Sequence, residues 1–242
     1  MFVPYSNLQI ISDLRQFCDT LWPLDELRVE HKSDASLVTE IDHKISQYLK
    51  THISCQGLTF YSEEDHSQLV FPAAILDPID GTRELVKLRG ECAVSLARMR
   101  SPKLSEGEAL VYNPFTGFAA HSDQRPPWRA RFHADELLGL VSRSEWEQGL
   151  FAGSTERLRL VPRGSIAFKL GLLAAGACDY VVSLRPKNIW DIAAGTILCE
   201  HAGISFLAQG TVVRELSQPT YPAPLIWARP ELMPSLRAHF SS

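Results

Sequence analysis

The sequence predicts a layered fold that mixes helices and sheets, with an α+β first half and an α/β second half. Two helical patterns open the chain, and a group of short apolar runs typical of strands follows them. Beyond Pro126 and Pro127, strand and helix patterns alternate to the end of the chain. With 242 residues, of which 45% are hydrophobic, the chain is long enough to bury a substantial core.

The first half contains the two predicted helices and five predicted strands. Residues 6–22 form the first helix, because apolar residues recur there at steps of three and four and Ser6 can cap the first turn. The second helix begins near Thr39 and carries a similar apolar stripe. Short apolar runs predict strands at 58–61, 73–76, 92–97, 109–112 and 118–121. Residues 124–127 are the best candidate for a boundary, since two prolines cannot lie within a central strand.

The second half alternates between the two kinds of element. Predicted strands cover residues 158–161, 180–184, 204–207 and 225–228. Predicted helices cover residues 166–175, 191–201 and 230–240. We expect an N-terminal α+β metal-binding half at residues 1–132 and a C-terminal α/β half at 133–242, packed as one compact unit.

Charge and cysteine usage exclude several classes of protein. The 28 acidic and 24 basic side chains give a formal net charge of −4, whereas a nucleic-acid-binding surface needs a clustered basic excess. The five cysteines are odd in number and form no C-x-x-C pair, so neither a disulfide framework nor a zinc site is expected. The N-terminus lacks the pattern of a signal peptide, and no apolar stretch is long enough to span a bilayer. We therefore expect a cytoplasmic protein.

The most informative segment is Leu76–Thr82, with the sequence LDPIDGT. A strand of small and apolar residues ends on Asp77, a proline stops the ladder, Asp80 follows, and Gly81 permits a sharp turn. Two carboxylates at the end of a buried strand are hard oxygen ligands suited to Mg²⁺. The amides of Gly81 and Thr82 are placed to hold a phosphate at a helix start. The same letters also make a good turn, so this segment alone leaves both interpretations open.

Three more acidic segments accompany it. Asp42 lies in the first turn of a predicted helix, Glu63 follows a short strand, and Asp191 opens a helix rich in small residues. Each also has a purely structural explanation: Asp42 can complete a capping box with Thr39, Asp191 can stabilise a helix start, and Glu63 can belong to a solvated turn. Four such segments in one chain favour a shared metal site.

Taken together, these segments resemble the lithium-sensitive, magnesium-dependent phosphatase superfamily that includes inositol monophosphatases and bisphosphate nucleotidases. The resemblance runs from about residue 32 to residue 203, and its signature pairs residues 77–82 with WDIAAG at 190–195. It implies an αβαβα sandwich. Within the superfamily the chain looks most similar to the bacterial sulfur-assimilation nucleotidases (CysQ-like). That similarity rests on segments 80–86, 90–91, 142–144, 164–165 and 188–191.

The resemblance also implies residue roles. Two or three Mg²⁺ ions would be held by Glu63, Asp77, the backbone carbonyl of Ile79, Asp80 and Asp191. The catalytic group would be Asp42 and Thr82, which orient and deprotonate the attacking water, together with Glu63. Lys32 would lie on a polar loop near the metals. Substrate contacts would come from Asp80, Gly81, Thr82, Ser142, Arg143, Gly164, Ser165, Arg185, Lys187 and Asp191.

One departure from the inositol monophosphatases bears on the substrate. Those enzymes carry a glutamate seven residues before the aspartate of their second motif, where it binds inositol hydroxyls, and here that position is Leu184. An apolar side chain cannot accept those hydrogen bonds, whereas the nearby Arg185 and Lys187 can meet a second phosphate or can simply be surface charges. The sequence therefore favours the branch that typically removes the 3′-phosphate from adenosine 3′,5′-bisphosphate. The alternative is an inositol or sugar monophosphate phosphatase with the same metals.

Two other functional interpretations, a non-catalytic binding protein and an interaction module, fit the sequence less well. A non-catalytic metabolite-binding relative should have lost a metal ligand or the water-activating pair, yet Asp42, Thr82 and all four acidic ligands are present. An acidic interaction module would not place its acids at strand ends. We expect a small phosphorylated metabolite as the partner, no nucleic-acid polymer and no membrane span, with a homodimer left open.

Overall fold

The outer layer on one side consists of two helices. The computed structural model describes residues 6–21, 29–31, 37–53, 57–65, 68–124, 137–153 and 158–240. Helix α1 (Asn7–Asp19) is capped by Ser6, whose hydroxyl accepts from the amide of Gln9 at 3.2 Å. Helix α2 (Glu40–Ile53) follows a two-stranded antiparallel ribbon of β1 (Val29–His31) and β2 (Leu37–Thr39). Both helices bury an apolar stripe against the first large sheet.

The first large sheet has five strands in sequential order. They are β3 (Thr59–Ser62), β4 (Ala73–Asp80), β5 (Ala93–Met99), β6 (Glu108–Tyr112) and β7 (Ala119–His121). Only the β3–β4 pair is parallel, and β4 continues through a sharp turn into the short helix α3 (Thr82–Val86). Ala74 and Leu76 of β4 face α1 and α2, whereas Ala73 and Ile75 face the opposite core. Because both faces are buried, the strand reads as a continuous apolar run.

Two buried helices form the middle layer. Helix α5 (Ile166–Ala174) and helix α6 (Ile189–His201) pack against each other, and their side chains share one core with both large sheets. The helices approach closely at Gly195, where an added Cβ would overlap Leu170. This close approach explains why residue 195 is a glycine.

The second large sheet has six strands in the order β13-β12-β15-β10-β8-β9. They are β8 (Leu137–Ser142), β9 (Leu158–Arg163), β10 (Tyr180–Ser183), β12 (Ser205–Ala208), β13 (Thr211–Val213) and β15 (Leu225–Ala228). The β8–β9 and β8–β10 pairs are parallel, and the others are antiparallel. Its outer face packs on α7 (Met233–Phe240), and the short α4 (Arg143–Glu147) follows β8. A small ribbon of β11 (Lys187–Asn188) and β14 (Thr220–Tyr221) leads into α6.

This order of layers confirms the predicted αβαβα sandwich. Helices α1 and α2, the five-stranded sheet, helices α5 and α6, the six-stranded sheet and helix α7 follow one another. None of the helices in the described ranges combines the length and the apolar character that crossing a bilayer requires. The predicted division between residues 132 and 133 lies outside the described residues and stays a prediction.

Candidate active site

Three carboxylates converge where β4 meets the start of α6. The ladder between β4 and β5 is interrupted between Asp77 and Asp80, which turns both side chains toward Asp191 in the first turn of α6. One ligand atom from each of these three residues lies within 4.8 Å of the other two. Asp77 is only 1% exposed, and its Oδ1 accepts from the amide of Ile79 at 3.0 Å. The segment at residues 77–81 therefore forms the predicted turn and also brings the predicted ligands together.

The electrostatics of this acidic cluster call for a cation. Burial raises the pKa of Asp77 well above its usual value, and the charges of Glu63, Asp80, Asp191 and Asp42 raise it further. Burial, followed by Asp80, raises the pKa of Asp191 to about 8, although Lys187 acts in the opposite direction. Several buried carboxylates can be ionised together near neutral pH only if positive charge is supplied. An all-oxygen donor set of this kind fits Mg²⁺.

Asp80 is fixed by the N-terminal turn of α5. Its Oδ2 accepts from the hydroxyl of Ser165 at 2.6 Å and from the amide of Ala167 at 2.5 Å. Both bonds go to one oxygen, so the other carboxylate oxygen is left to face the cluster. Ser165 has a φ of 45°, which is unusual for a residue with a side chain, and its hydroxyl also caps α5 by accepting from Phe168.

A buried Asp–Thr pair lies beside the cluster. The hydroxyl of Thr82 lies 3.0 Å from the carbonyl of Ile79 and 3.3 Å from Oδ1 of Asp42, so it can donate to either acceptor. Oδ2 of Asp42 accepts from the amide and the hydroxyl of Thr39 at 2.8 and 2.5 Å. Burial raises the pKa of Asp42 to about 6; Thr39 opposes this increase, and Glu63 and Glu64 add to it. Asp42 therefore caps α2 with one oxygen and contacts Thr82 with the other.

Glu63 and Lys32 are the remaining residues predicted to lie at or near the metals. Glu63 follows β3, and its amide donates to the carbonyl of Leu76 at 3.3 Å. Its charge raises the pKa values of Asp42, Asp77 and Asp191, so its carboxylate is close to all three. Lys32 lies outside the described residues.

An open cleft of about 180 Å³ adjoins Asp80 and Asp191. Its other lining residues come from four segments that meet at this edge of the sheets: Gly81, Arg83, Glu84, Ser142, Arg143, Ser144, Gly164, Ser165, Ile166, Lys169 and Lys187. Six of the predicted substrate contacts are among them, besides Asp80 and Asp191. Arg185 lies elsewhere, because it is not part of this lining and its guanidinium donates to Oε1 of Gln148 at 2.8 Å.

An ion-paired network forms one wall of this cleft, and sequence reasoning did not include it. Arg143 donates through Nη2 to both oxygens of Glu91 at 2.6 and 2.8 Å, and the amide of Gly164 donates to Glu91 at 2.7 Å. Burial opposes ionisation of Glu91, but these bonds outweigh it, so the pKa of Glu91 lies below its usual value. Glu84 lies 3.7 Å from Nε of Arg143 and 3.2 Å from Nη1 of Arg89. In the sequence, Glu91 is recognisable only as part of the segment at 90–91 that resembles the nucleotidases.

Lys169 is the second feature that sequence reasoning missed. It is 2% exposed, and its Nζ donates to the carbonyls of Arg163, Gly164 and Ser165 at 3.1, 3.1 and 2.9 Å. Burial lowers its pKa to about 8. The only signal was a charged residue within the otherwise apolar helix pattern IAFKLGLLA. The carbonyls of this turn face Lys169. The N–H and hydroxyl donors of the same turn face Asp80 and Glu91.

Comparisons with known proteins agree with this fold and identify the family. The model for the inositol monophosphatase family matches residues 7–240. A 3′(2′),5′-bisphosphate nucleotidase CysQ from Aggregatibacter actinomycetemcomitans is 29% identical over 208 residues, 74% of this chain and 74% of that protein. An inositol-1-monophosphatase from Caulobacter vibrioides is 26% identical over 211 residues, 74% of this chain and 78% of that protein. A solved structure of an IMPase/NADP phosphatase complexed with Mg²⁺ and phosphate superimposes with a TM-score of 0.69 at 21% identity, covering 95% of this chain and 94% of that one.

The nucleotidase and the monophosphatase are similar to this chain at nearly equal identity, so these comparisons support the family rather than one branch of it. The family match spans nearly the whole chain and so includes the segments at 77–82 and 190–195. The chain therefore belongs to the inositol monophosphatase family and is a phosphatase.

Proposed function

We propose that this chain is a Mg²⁺-dependent phosphatase that removes the 3′-phosphate from adenosine 3′,5′-bisphosphate. The observation that carries the chemistry is the cluster of Asp77, which is buried, with Asp80 and Asp191, which face a cleft lined by basic side chains. A related structure holds Mg²⁺ and phosphate, and a curated relative is a 3′(2′),5′-bisphosphate nucleotidase.

The ions, two or three in number, would be held by Glu63, Asp77, the carbonyl of Ile79, Asp80 and Asp191. When bound, they would neutralise charge on the transferring phosphoryl group and activate a water molecule. The protein contributes preorganisation: Ser165 and Ala167 fix Asp80, and the amide of Asn188 donates to Asp191 at 2.9 Å.

Asp42 and Thr82 would manage the proton of the attacking water. Thr82 accepts a proton from the water as its own hydroxyl proton moves toward Oδ1 of Asp42, the acceptor 3.3 Å away. Burial raises the pKa of Asp42 to about 6, which brings this carboxylate closer to the range where a general base works at neutral pH. The bonds from Thr39 hold the Asp42 side chain in place for this role.

The surroundings of Leu184 support a nucleotide bisphosphate over inositol phosphate. The Leu184 side chain packs with the outer core of the second sheet. A carboxylate does lie nearby, that of Glu145, but it is 2% exposed and accepts from the hydroxyl of Ser183 and the amide of Leu184, both at 2.7 Å. Glu145 is therefore already occupied and is not placed to bind the hydroxyls of a polyol. The similarity to inositol-1-monophosphatases keeps a monophosphate phosphatase as the second candidate.

Phosphate release measured with Mg²⁺ on two substrates tests the proposal. We expect kcat/KM for adenosine 3′,5′-bisphosphate to exceed that for inositol 1-phosphate by at least about tenfold. A reversed preference would favour the monophosphate alternative and leave the metal-dependent chemistry intact. If full activity persists in excess chelator, the metal-dependent mechanism fails as well.

A further inference from the structure

Among the residues that the structure describes, four basic side chains line the cleft beside the acidic cluster: Arg83, Arg143, Lys169 and Lys187. A substrate with two phosphates would place one phosphate at the acidic cluster and the other against a cation. A cation that is already paired with an acid contributes less binding energy to a ligand. The partners of these four residues therefore indicate which one is available to a second phosphate.

Two of the four are committed to the protein itself. Arg143 binds both oxygens of Glu91 at 2.6 and 2.8 Å and lies 3.7 Å from Glu84. Lys169 directs its ammonium group at three backbone carbonyls and is 2% exposed. Turning Arg143 toward a ligand would break its two bonds to the partly buried Glu91, and turning Lys169 would leave buried carbonyls without their donor.

Lys187 and Arg185 are also engaged. Nζ of Lys187 lies 3.4 Å from Oε1 of Glu145, a carboxylate that is 2% exposed and depends on nearby donors. Arg185 is not part of the cleft lining, and its guanidinium donates to Gln148 at 2.8 Å. The two cations that the sequence suggested for a second phosphate are therefore held by α4 or by the residue that follows it.

Arg83 is different. It is exposed on α3, one residue after Thr82 and three after Asp80, and it lines the cleft. Across the ranges that the structure describes, its guanidinium has neither a hydrogen bond nor an ion pair. The short helix that carries it is fixed at its start, because the amides of Glu84 and Leu85 both donate to the carbonyl of Gly81.

We infer that Arg83 binds the second, non-reacting anionic group of the substrate and so selects phosphomonoesters that carry such a group. This inference rests on the proposed function and identifies the residue that gives that site its preference. A planar guanidinium can make two parallel hydrogen bonds to phosphate oxygens, and no acid in the described part of the chain competes for the donors of Arg83. Because this contact is made to the non-reacting phosphate, it stabilises the bound substrate and the transition state alike, so its loss should raise KM rather than lower kcat.

The test compares Arg83→Gln with Lys87→Gln on a matched pair of substrates. Lys87 is exposed just beyond the end of α3 and is not part of the cleft lining, so its variant removes the same charge from the same region. Adenosine 3′,5′-bisphosphate and adenosine 3′-monophosphate share the reacting phosphate and differ only in the second one. We expect Arg83→Gln to raise KM for the bisphosphate about tenfold, with KM for the monophosphate and both kcat values within about twofold. Lys87→Gln should change none of these values by more than about twofold.

The outcomes separate the inference from the proposed function. If the wild-type protein prefers the bisphosphate and Arg83→Gln leaves that preference intact, the role of Arg83 is disproved while the proposed function stands. If Arg83→Gln weakens both substrates equally, Arg83 serves the reacting phosphate or the fold, and the inference is again wrong. If the wild-type protein does not distinguish the two substrates, it does not recognise a second anionic group, and both the inference and the bisphosphate assignment fail.

Discussion

Asp80 combines two duties at the scale of a single residue. One of its oxygens accepts from Ser165 and Ala167, and its charge contributes to the raised pKa values of Asp77 and Asp191. The hydrogen bonds fix the position of the side chain, whereas the charge would hold a metal ion. An amide in place of the carboxylate separates these two duties, because the amide oxygen can still accept both bonds.

We therefore expect Asp80→Asn to fold normally and to lose turnover. At limiting Mg²⁺ the rate should fall by roughly 100-fold or more, because metal stabilisation of phosphoryl transfer contributes several kcal/mol. The melting temperature without metal should stay the same or rise, since one of several like charges is gone. Phosphate release across a Mg²⁺ titration and thermal unfolding measure both quantities.

Glu231→Gln is a suitable control, because Glu231 is exposed just before α7 and the change removes the same charge. A control variant with wild-type kinetics would attribute the loss to the position of Asp80. Wild-type turnover of Asp80→Asn at limiting Mg²⁺ would remove Asp80 from the metal site.

Residues whose geometry is set by their immediate neighbours could be predicted from the sequence. Asp77 and Asp80 lie on a strand end and turn that the letters LDPIDGT specify locally. The contacts of Glu91 could not be predicted in the same way, since they come from Arg143 and Gly164, which are far along the chain. The carbonyls that Lys169 binds are only four to six residues before it, but their direction depends on how the turn folds. Arg185 shows the reverse problem: its sequence position suggested a substrate contact, but its side chain lies against Gln148.

At the scale of elements, the turn that opens α5 links a buried lysine to the acidic cluster. Lys169 holds three carbonyls of the turn on one side, and the hydroxyl of Ser165 reaches Asp80 on the other. The turn has little freedom, because an added Cβ at Gly164 would overlap the side chain of Glu84. Lys169 thus positions Asp80 through the turn without touching it.

For this reason Lys169→Met should weaken both the fold and metal-dependent activity. Loss of the ammonium leaves three carbonyls without their donor, which we expect to lower the free energy of unfolding by about 2–4 kcal/mol. The Mg²⁺ concentration for half-maximal activity should rise at least about threefold, because Asp80 is held less firmly. Denaturant unfolding and Mg²⁺ titration of activity measure the two effects.

The exposed Lys87→Met is the matched control and should change neither value appreciably. A variant at Lys169 that is less stable but has an unchanged Mg²⁺ requirement would limit Lys169 to a structural role. In that case the contact between the turn and Asp80 would not affect metal binding.

The main elements could be predicted because their apolar patterns are strong, and the exceptions have identifiable causes. The strand β8 was not predicted, since Gly139 interrupts its apolar run; an added Cβ there would overlap the ring of Tyr180 in the neighbouring strand. The ribbons β1–β2 and β11–β14 are only two or three residues long per strand, too short for a periodic pattern. Helix α7 begins at Met233 rather than at 230, because residues 230–232 form the preceding turn.

At the scale of the whole molecule, the site joins parts of the chain that belong to different layers. Asp77 and Asp80 end a strand of the first sheet, Asp191 begins a helix of the middle layer, and Ser142 ends a strand of the second sheet. An ion bound by the three acids would therefore bridge the first sheet and the middle layer. Without a cation, repulsion among the acids acts against the packing of these layers.

This arrangement predicts that stability without metal falls as pH rises. Burial and neighbouring acids raise the pKa of Asp42 to about 6 and that of Asp191 to about 8, against 3.8 for an ordinary aspartate. A carboxyl with a raised pKa binds its proton more tightly in the folded protein than in the unfolded chain. The resulting stabilisation is complete below about pH 4 and is lost as pH rises from there to about pH 8.

Mg²⁺ should therefore stabilise the protein more at pH 8 than at pH 5. At pH 5 the ion must displace protons from Asp77 or Asp191, whereas at pH 8 most of that cost is gone and an ion relieves the repulsion. Thermal unfolding with and without millimolar Mg²⁺ at the two pH values measures the difference, with NaCl at equal ionic strength as the control. Asp191→Asn should reduce the Mg²⁺-dependent increase in melting temperature, because it removes both a ligand charge and a proton competitor. An equal increase at both pH values, or the same increase with NaCl alone, would show that the ion does not bind at these acids.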